Sequence, residues 1–347
     1  MINALIAATK QVNLITLRSP LPPRYLKVYR SLSKIFRTNL LTGTLSPTPH
    51  LKLDFGSVFA YSALAAKVSL SMKPALIDVN ALVCARLRPM KQLIVDFRTP
   101  LSYELKWLGH GFLSSFASIV EKALKNMDLM IAVNDLMAKY CTELGAKFVI
   151  VIPNYPVKTF QSSVDASKWK MMKGLPLSDN VVLFSGGARV REIYGLDMLL
   201  KSWQIVQDLN KSANLVILGS DSIDYIRDFV KSQGLKRVIL PGRVGMGDVA
   251  NWINSARVCV APRTPGFSDT FYNDQDSNKI AEYAAFKKPI VASGYAASEQ
   301  YLRVPQDPES FAEGILKGLE GKIRPSICHF WDDNEPRLLK ALESYWF

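Results

Sequence analysis

Apolar residues in the second half of the chain come in short runs that stop at glycine, serine or proline. VVLFSGG (181–187) is one; NLVILGS (214–220), 237–240, VCVAP (258–262) and PIVAS (289–293) are others. Runs of this length predict strands buried on both faces of a parallel sheet. Between them the period changes. Leu196, Leu199, Leu200, Trp203 and Val206 recur at helical spacing and predict a helix over 195–209. Further helices are predicted over 223–233, 247–254 and 278–286. Such alternation implies a parallel sheet covered on both faces. The first half repeats the theme with strands over 12–17, 75–80, 92–97, 129–134 and 147–154, and implies a second such domain.

The resulting division is a first domain over 1–160, a polar linker over 161–180 without a clear period, and a second domain over 181–330. The helix in 331–347 is expected to pack back on the first domain. At 347 residues the chain is long enough for two cores.

Charge adds an asymmetry. The net charge is +13, with 20 Lys and Arg against 9 Asp and Glu in residues 1–165, and no acid before Asp54. A one-sided basic field suits nucleic acid, an anionic membrane or a phosphorylated acceptor. No module with interleaved aromatic and basic residues supports nucleic acid. Segment 23–40 places Lys27, Arg30, Lys34 and Arg37 on one helical face and Tyr25, Val28, Leu32, Ile35 and Phe36 on the other. That pattern suits either a helix lying in an anionic membrane surface or an ordinary amphipathic helix on its sheet. The four cysteines and three histidines are scattered, so no zinc site is visible and reduced thiols in a cytosol-like compartment are expected. No signal peptide stands out, and the longest uncharged runs fall short of the roughly 18–20 residues that span a membrane. A cytoplasmic protein, peripheral at most on the inner membrane face, is the expectation.

The candidate chemistry lies where strands end. In doubly wound sheets ligands sit beyond the carboxyl ends of the strands. Gly186 and Gly187 either let a backbone approach a ligand or merely close a tight turn; Arg189 and Arg191 follow and can bond a phosphate. Neither a Walker A motif nor GxGxxG follows any predicted strand. In NDQDSNKIAEYAAFKKPIVAS (273–293), Ser277 and Asn278 can cap a helix or offer their amides to a diphosphate. Glu282 falls one turn into that helix, where a carboxylate can accept two ribose hydroxyls. Asp274 lies eight residues before it. The alternative is a capped helix behind a solvated acidic loop. In the first half, Asp96 and Arg98 end a predicted strand, as base and acceptor-phosphate ligand or as a structural ion pair; His110 lies in a nearby loop.

The order of these parts resembles retaining glycosyltransferases of the GT-B fold, the group 1 or family 4 type with an acid-x7-Glu signature. DQDSNKIAE supplies Asp274 and Glu282 at that spacing, FSGGAR resembles the donor-side glycine turn, VILPGRV (238–244) the strand that holds the base, and DLMIAVN and VIVIPN the end of the acceptor domain. The resemblance implies an α/β fold of two Rossmann-like doubly wound parallel-sheet domains facing a cleft. It also implies transfer of a sugar, with retention, from a nucleotide diphosphate sugar to a lipid-linked or glycan acceptor. Arg189, Gly186, Gly187, Arg191, Ser277, Asn278 and Lys279 would hold the diphosphate, although Lys279 suits a solvated lysine as well. Asp274 would orient the donor sugar, Glu282 the ribose, and the backbone near Arg243 and Val244 the base. Asp96, Arg98 and His110 would serve the acceptor. No metal or cofactor is implied beyond the nucleotide sugar. Three departures stand out: Asp274 replaces the usual glutamate, Tyr194 stands where the family has a phosphate-binding lysine, and the first domain lacks its N-terminal strand. They keep two alternatives open, a catalytically inactive GT-B-like binding subunit and another GT-B enzyme such as a nucleotide-sugar epimerase.

Overall fold

The computed structural model describes residues 13–16, 39–42, 75–78, 93–97, 99–107, 109, 111–122, 129–161, 165–173, 180–186, 193–219, 223–265 and 270–346. The chain divides into two compact units, one of Met1–Pro153 with Asn334–Phe347 and one of Asn154–Asp333.

Among the described residues the first unit carries six strands: β1 (Asn13–Thr16), β2 (Asn39–Thr42), β3 (Ala75–Asp78), β4 (Leu93–Phe97), β5 (Leu129–Ala132) and β6 (Phe148–Val151). They lie in the order β2-β1-β3-β4-β5-β6, all parallel. Among the described residues no strand precedes β1, which sits between β2 and β3. Asp96 pairs in register with Asp78 on the neighbouring strand. Residues 23–38 of the basic amphipathic segment lie outside the described residues, and its last two, Asn39 and Leu40, open β2 instead of ending a helix.

Three helices of this unit are α1 (Leu101–Trp107), α2 (Gly111–Glu121) and α3 (Asp135–Glu143). Asn134 caps α3 by accepting from the Met137 amide at 2.7 Å, which satisfies an otherwise orphan donor. Glu121, at the end of α2, is 2 % exposed. It accepts from the Ser102 amide at 2.9 Å, from the Ser102 hydroxyl, and from the Tyr140 hydroxyl at 2.9 Å. The C-terminal helix belongs to this unit, where the Asn334 side chain donates to the Pro153 carbonyl at 2.9 Å.

The second unit holds β7 (Val181–Ser185), β8 (Asn214–Leu218), β9 (Val238–Gly242), β10 (Val258–Ala261), β11 (Ile290–Ala292) and β12 (Leu302–Arg303). Their order is β12-β11-β10-β7-β8-β9, again all parallel. The chain steps from β7 outward to β9, then returns to the other side of β7 with β10. The direction of winding therefore reverses between β7 and β10, and the loops there part to leave a crevice beyond the strand ends.

Among the described residues six helices cover this sheet: α4 (Ala166–Met172), α5 (Leu196–Leu209), α6 (Ile223–Ser232), α7 (Met246–Ser255), α8 (Asn278–Ala285) and α9 (Pro308–Leu319). The stripe read on α5 is buried throughout, and Trp203 also donates its indole N–H to the Lys236 carbonyl at 3.0 Å. Truncating such a side chain costs roughly 3 kcal/mol or more. On α9, a Cβ at Gly314 would meet Val291 at 2.8 Å and one at Gly318 would meet Val258 at 2.7 Å, so glycine is what lets this helix lie directly on β10 and β11. α4 falls where the sequence shows no period; its Trp169 is buried edge-on to Trp252 of α7, ring centroids 6.0 Å apart.

Candidate functional site

β7 is fully buried to Phe184 and then meets the surface at Ser185. At its end the Ser185 amide donates to the Tyr283 hydroxyl of α8 at 2.8 Å, and the Gly186 amide donates to the Leu218 carbonyl of β8 at 3.0 Å. These bonds fix the rim of a cavity of about 490 Å³ at the carboxyl ends of β7, β8, β9 and β10. Ser185 and Gly186 line one side, Leu218 and Gly219 the next, then Arg243 and Val244 after β9, and Arg263 after β10. Asp276, Ser277, Asn278, Lys279 and Glu282 close it from α8 and the turn before it. Residues 187–192, with Gly187, Arg189 and Arg191, lie outside the described residues.

The chain re-enters at Ile193, whose carbonyl accepts from the Thr264 amide at 3.0 Å. Gly195 then turns with φ +57° and donates to the Thr264 hydroxyl at 3.1 Å. A Cβ there would sit 2.7 Å from the Arg263 carbonyl oxygen, so both the backbone sign and the close approach demand glycine. Tyr194 is thereby held against the cavity wall.

Helix α8 opens at Ser277, which is extended and makes no side-chain cap. An uncapped N-terminus leaves amide donors and a partial positive charge for a ligand. Lys279 follows in the first turn, 9 % exposed, and its Nζ has no hydrogen-bond partner among the described residues. The ammonium lies over two aromatic faces, 4.3 Å from the Phe184 ring centre and 3.9 Å from that of Tyr194. Burial, reinforced by repulsion from Arg263, brings its pKa down to about 7, with Glu282 pulling the other way. Glu282, one turn on, is pushed up to about 7 by burial, against the pull of Lys279. No hydrogen-bond donor among the described residues holds its carboxylate.

Arg263 is a site residue that sequence reasoning missed. Its guanidinium lies between the rings of Tyr272 and Tyr295, at 4.1 and 4.3 Å, and 3.6 Å from the Asp276 carboxylate. Its signal was available: a lone basic residue closing VCVAPR, at the end of a strand read as buried.

Asp274 lies apart from these residues. It lines a separate recess of about 10 Å³ with Tyr155, Gln300 and His329, and does not border the cavity that Glu282 lines. The cause is local. Residues 274–276 form a turn in which the Gln275 carbonyl accepts from the Asn154 amide at 2.7 Å and the Asp276 carboxylate accepts from the Asn273 amide. That turn delivers Asp276, not Asp274, to the cavity. Of the other predicted residues, Gly186, Arg243, Val244, Ser277, Asn278, Lys279 and Glu282 are brought together. Asp96 is described only as part of β4, and Arg98 and His110 lie outside the described residues. Among the described residues, no helix is long and apolar enough to cross a membrane.

Comparison with known proteins agrees with this architecture. Residues 179–320 match the family described as Glycosyl transferases group 1. A glycogen synthase of Syntrophotalea carbinolica is 26 % identical over 200 residues, 48 % of this chain and 41 % of that protein. The match thus spans about two-fifths of that relative's length. Among solved structures, a sucrose-phosphate synthase from Thermosynechococcus elongatus superposes with TM-score 0.67 at 16 % identity, covering 96 % of this chain and 94 % of that one. An α,α-trehalose 6-phosphate synthase from Burkholderia multivorans gives TM-score 0.64 at 10 % identity, covering 97 % and 96 %. The GT-B fold is shared across nearly the whole chain, and the match to the glycosyl transferases group 1 family falls on the unit that holds the cavity.

Proposed function

We propose that the chain transfers a sugar from a nucleotide diphosphate sugar to an acceptor, with retention at the anomeric carbon, and that the 490 Å³ cavity is its donor site. One observation carries the reading. A single space is bordered by an uncapped helix N-terminus, a buried lysine Nζ without a hydrogen-bond acceptor and a half-buried carboxylate without a donor. Buried polar groups are ordinarily satisfied. A cation and helix amides suit a diphosphate, and a free carboxylate suits the paired hydroxyls of a ribose.

In this scheme the amides of α8 and Lys279 neutralise charge as the sugar–phosphate bond lengthens, the term that usually dominates such catalysis. Arg189, Arg191 and the Gly186–Gly187 turn add to it by resemblance to the family. Glu282 holds the ribose, and the backbone at Arg243 and Val244 meets the base. The scheme invokes no metal and no cofactor beyond the donor. On the acceptor side Asp96 serves as base, with Arg98 and His110 as ligands. The acceptor is a glycan or a lipid-linked saccharide. The basic first half and segment 23–40 support a cytoplasmic protein resting on an anionic membrane face.

Thermal unfolding with a panel of UDP-, GDP- and ADP-sugars tests the donor site. A ligand at a hundred times its Kd stabilises by about 2.7 kcal/mol, which is readily read as a rise in Tm. Product analysis with the donor that binds then tests transfer and its stereochemistry. A melting temperature that no nucleotide sugar moves sinks the proposal.

A further inference from the structure

Two buried basic side chains border the cavity, and they are held differently. Arg263 is ion-paired to Asp276 and sandwiched by two tyrosines. Lys279 has ring faces but no acceptor. A desolvated cation–π contact is worth about 2 kcal/mol, whereas burying an ammonium without a hydrogen-bonded acceptor costs several. The groups facing Lys279 are Tyr194 ahead of α5, Arg263 after β10 and Glu282 on its own helix; Asp276 is already engaged by Arg263. The environment therefore does not hold Lys279 fully charged at neutral pH, and its pKa near 7 agrees with the geometry.

Resting on the donor-site reading above, we infer that Lys279 is charged by its ligand: as a nucleoside diphosphate enters, the site takes up one proton, on Lys279 Nζ. The proton comes from solvent to the amine lone pair, and the ammonium so formed faces the phosphate oxygens. No other bond is made or broken. Tyr194, which stands where the family carries a lysine, supplies the ring nearest this ammonium, so the charge missing from residue 194 is delivered from α8. Departure of the nucleoside diphosphate returns the proton, which couples product release to deprotonation.

Calorimetric titration of the whole protein with UDP, GDP and ADP at pH 8, in HEPES and in Tris, reads the proton directly. At that pH Glu282, with its carboxyl raised only to about 7, is mostly ionised and contributes little opposing release. The expected result is uptake close to one proton for the nucleotide that binds, with affinity falling about tenfold from pH 8 to pH 9. Lys279→Arg, permanently charged, is expected to bind without buffer dependence. Lys279→Met is expected to bind at least tenfold more weakly, also without buffer dependence, while melting no lower than the parent. Equal enthalpies in both buffers for the unaltered protein, or proton uptake that persists in Lys279→Met, overturns the inference while leaving the donor site standing. Failure of all three nucleotides to bind the unaltered protein overturns the donor site itself.

Discussion

Glu121 in the first unit is a buried carboxylate and Glu282 in the second a half-buried one, and their surroundings are opposite. Glu121 receives three hydrogen bonds from Ser102 and Tyr140. Glu282 receives none from the described residues, and burial holds its carboxyl up to about 7. The first ties α1, α2 and α3 together. The second contributes nothing of that kind and costs the fold its desolvation. A buried charge whose partners are all protein is part of the structure, whereas one whose partners are missing marks where a ligand belongs. The two basic side chains of the second unit repeat the contrast, with Arg263 ion-paired to Asp276 between two rings and Lys279 left without an ion pair within reach among the described residues.

The sharpest way to break this comparison is Glu282→Ala. Loss of two charge-assisted bonds to a ribose is expected to weaken nucleotide binding by on the order of a hundredfold or more and to abolish turnover, with no loss of stability. Parent-like binding in a titration would remove Glu282 from the site. Glu121→Ala is the mirror image. It strands the Ser102 and Tyr140 donors and is expected to cost about 3 kcal/mol in denaturant unfolding while nucleotide affinity stays unchanged. If stability holds and binding falls, the two carboxylates have been assigned the wrong way round.

Arg263→Met sharpens the cation pair. It leaves Asp276 buried without its partner and is expected to destabilise by about 2 kcal/mol, more than Lys279→Met does. Equal melting temperatures for the two variants would show that Arg263 is no better satisfied than Lys279. A smaller effect lies in the pH dependence of the unliganded protein. Glu282 is raised from 4.5 to about 7, so the fold favours its proton and loses that advantage as pH rises through this window. Lys279 is lowered from 10.5 to about 7, so the fold favours its neutral form and stability returns as pH rises above 7. The pair thus places a shallow minimum of stability near pH 7, which the double variant Glu282→Gln, Lys279→Met flattens. Melting curves from pH 5 to 10 check it. Smallest of all is Tyr283→Phe. It deprives the Ser185 amide of its acceptor at the end of β7 and is expected to cost about 1 kcal/mol. No change there would mean that the strand end holds its position without α8.

Much of the fold was legible residue by residue. The apolar runs at 181, 214, 237, 258 and 289 each became a parallel strand, and the stripe from Leu196 to Val206 became the buried face of α5. Strands Asn39–Thr42 and Leu302–Arg303 and helix Ala166–Met172 carried too short or too irregular a pattern to read. In the site, Gly186, Ser277, Asn278, Lys279 and Glu282 were legible because each sits where a strand ends or a helix begins. Arg263 carried no motif to flag it, and Asp274, placed by spacing alone, lines a recess separate from the cavity.

Local periodicity records which face of each element is buried, and so the sequence by itself determined two parallel sheets and the turns at which ligands can sit. Which side chains lose their water was a tertiary decision. It followed from strand order: β10 returning beside β7 brings Arg263, Tyr194 and Lys279 around one space although they are far apart in the chain. Solvation depends on everything packed nearby, and no spacing along a sequence encodes that.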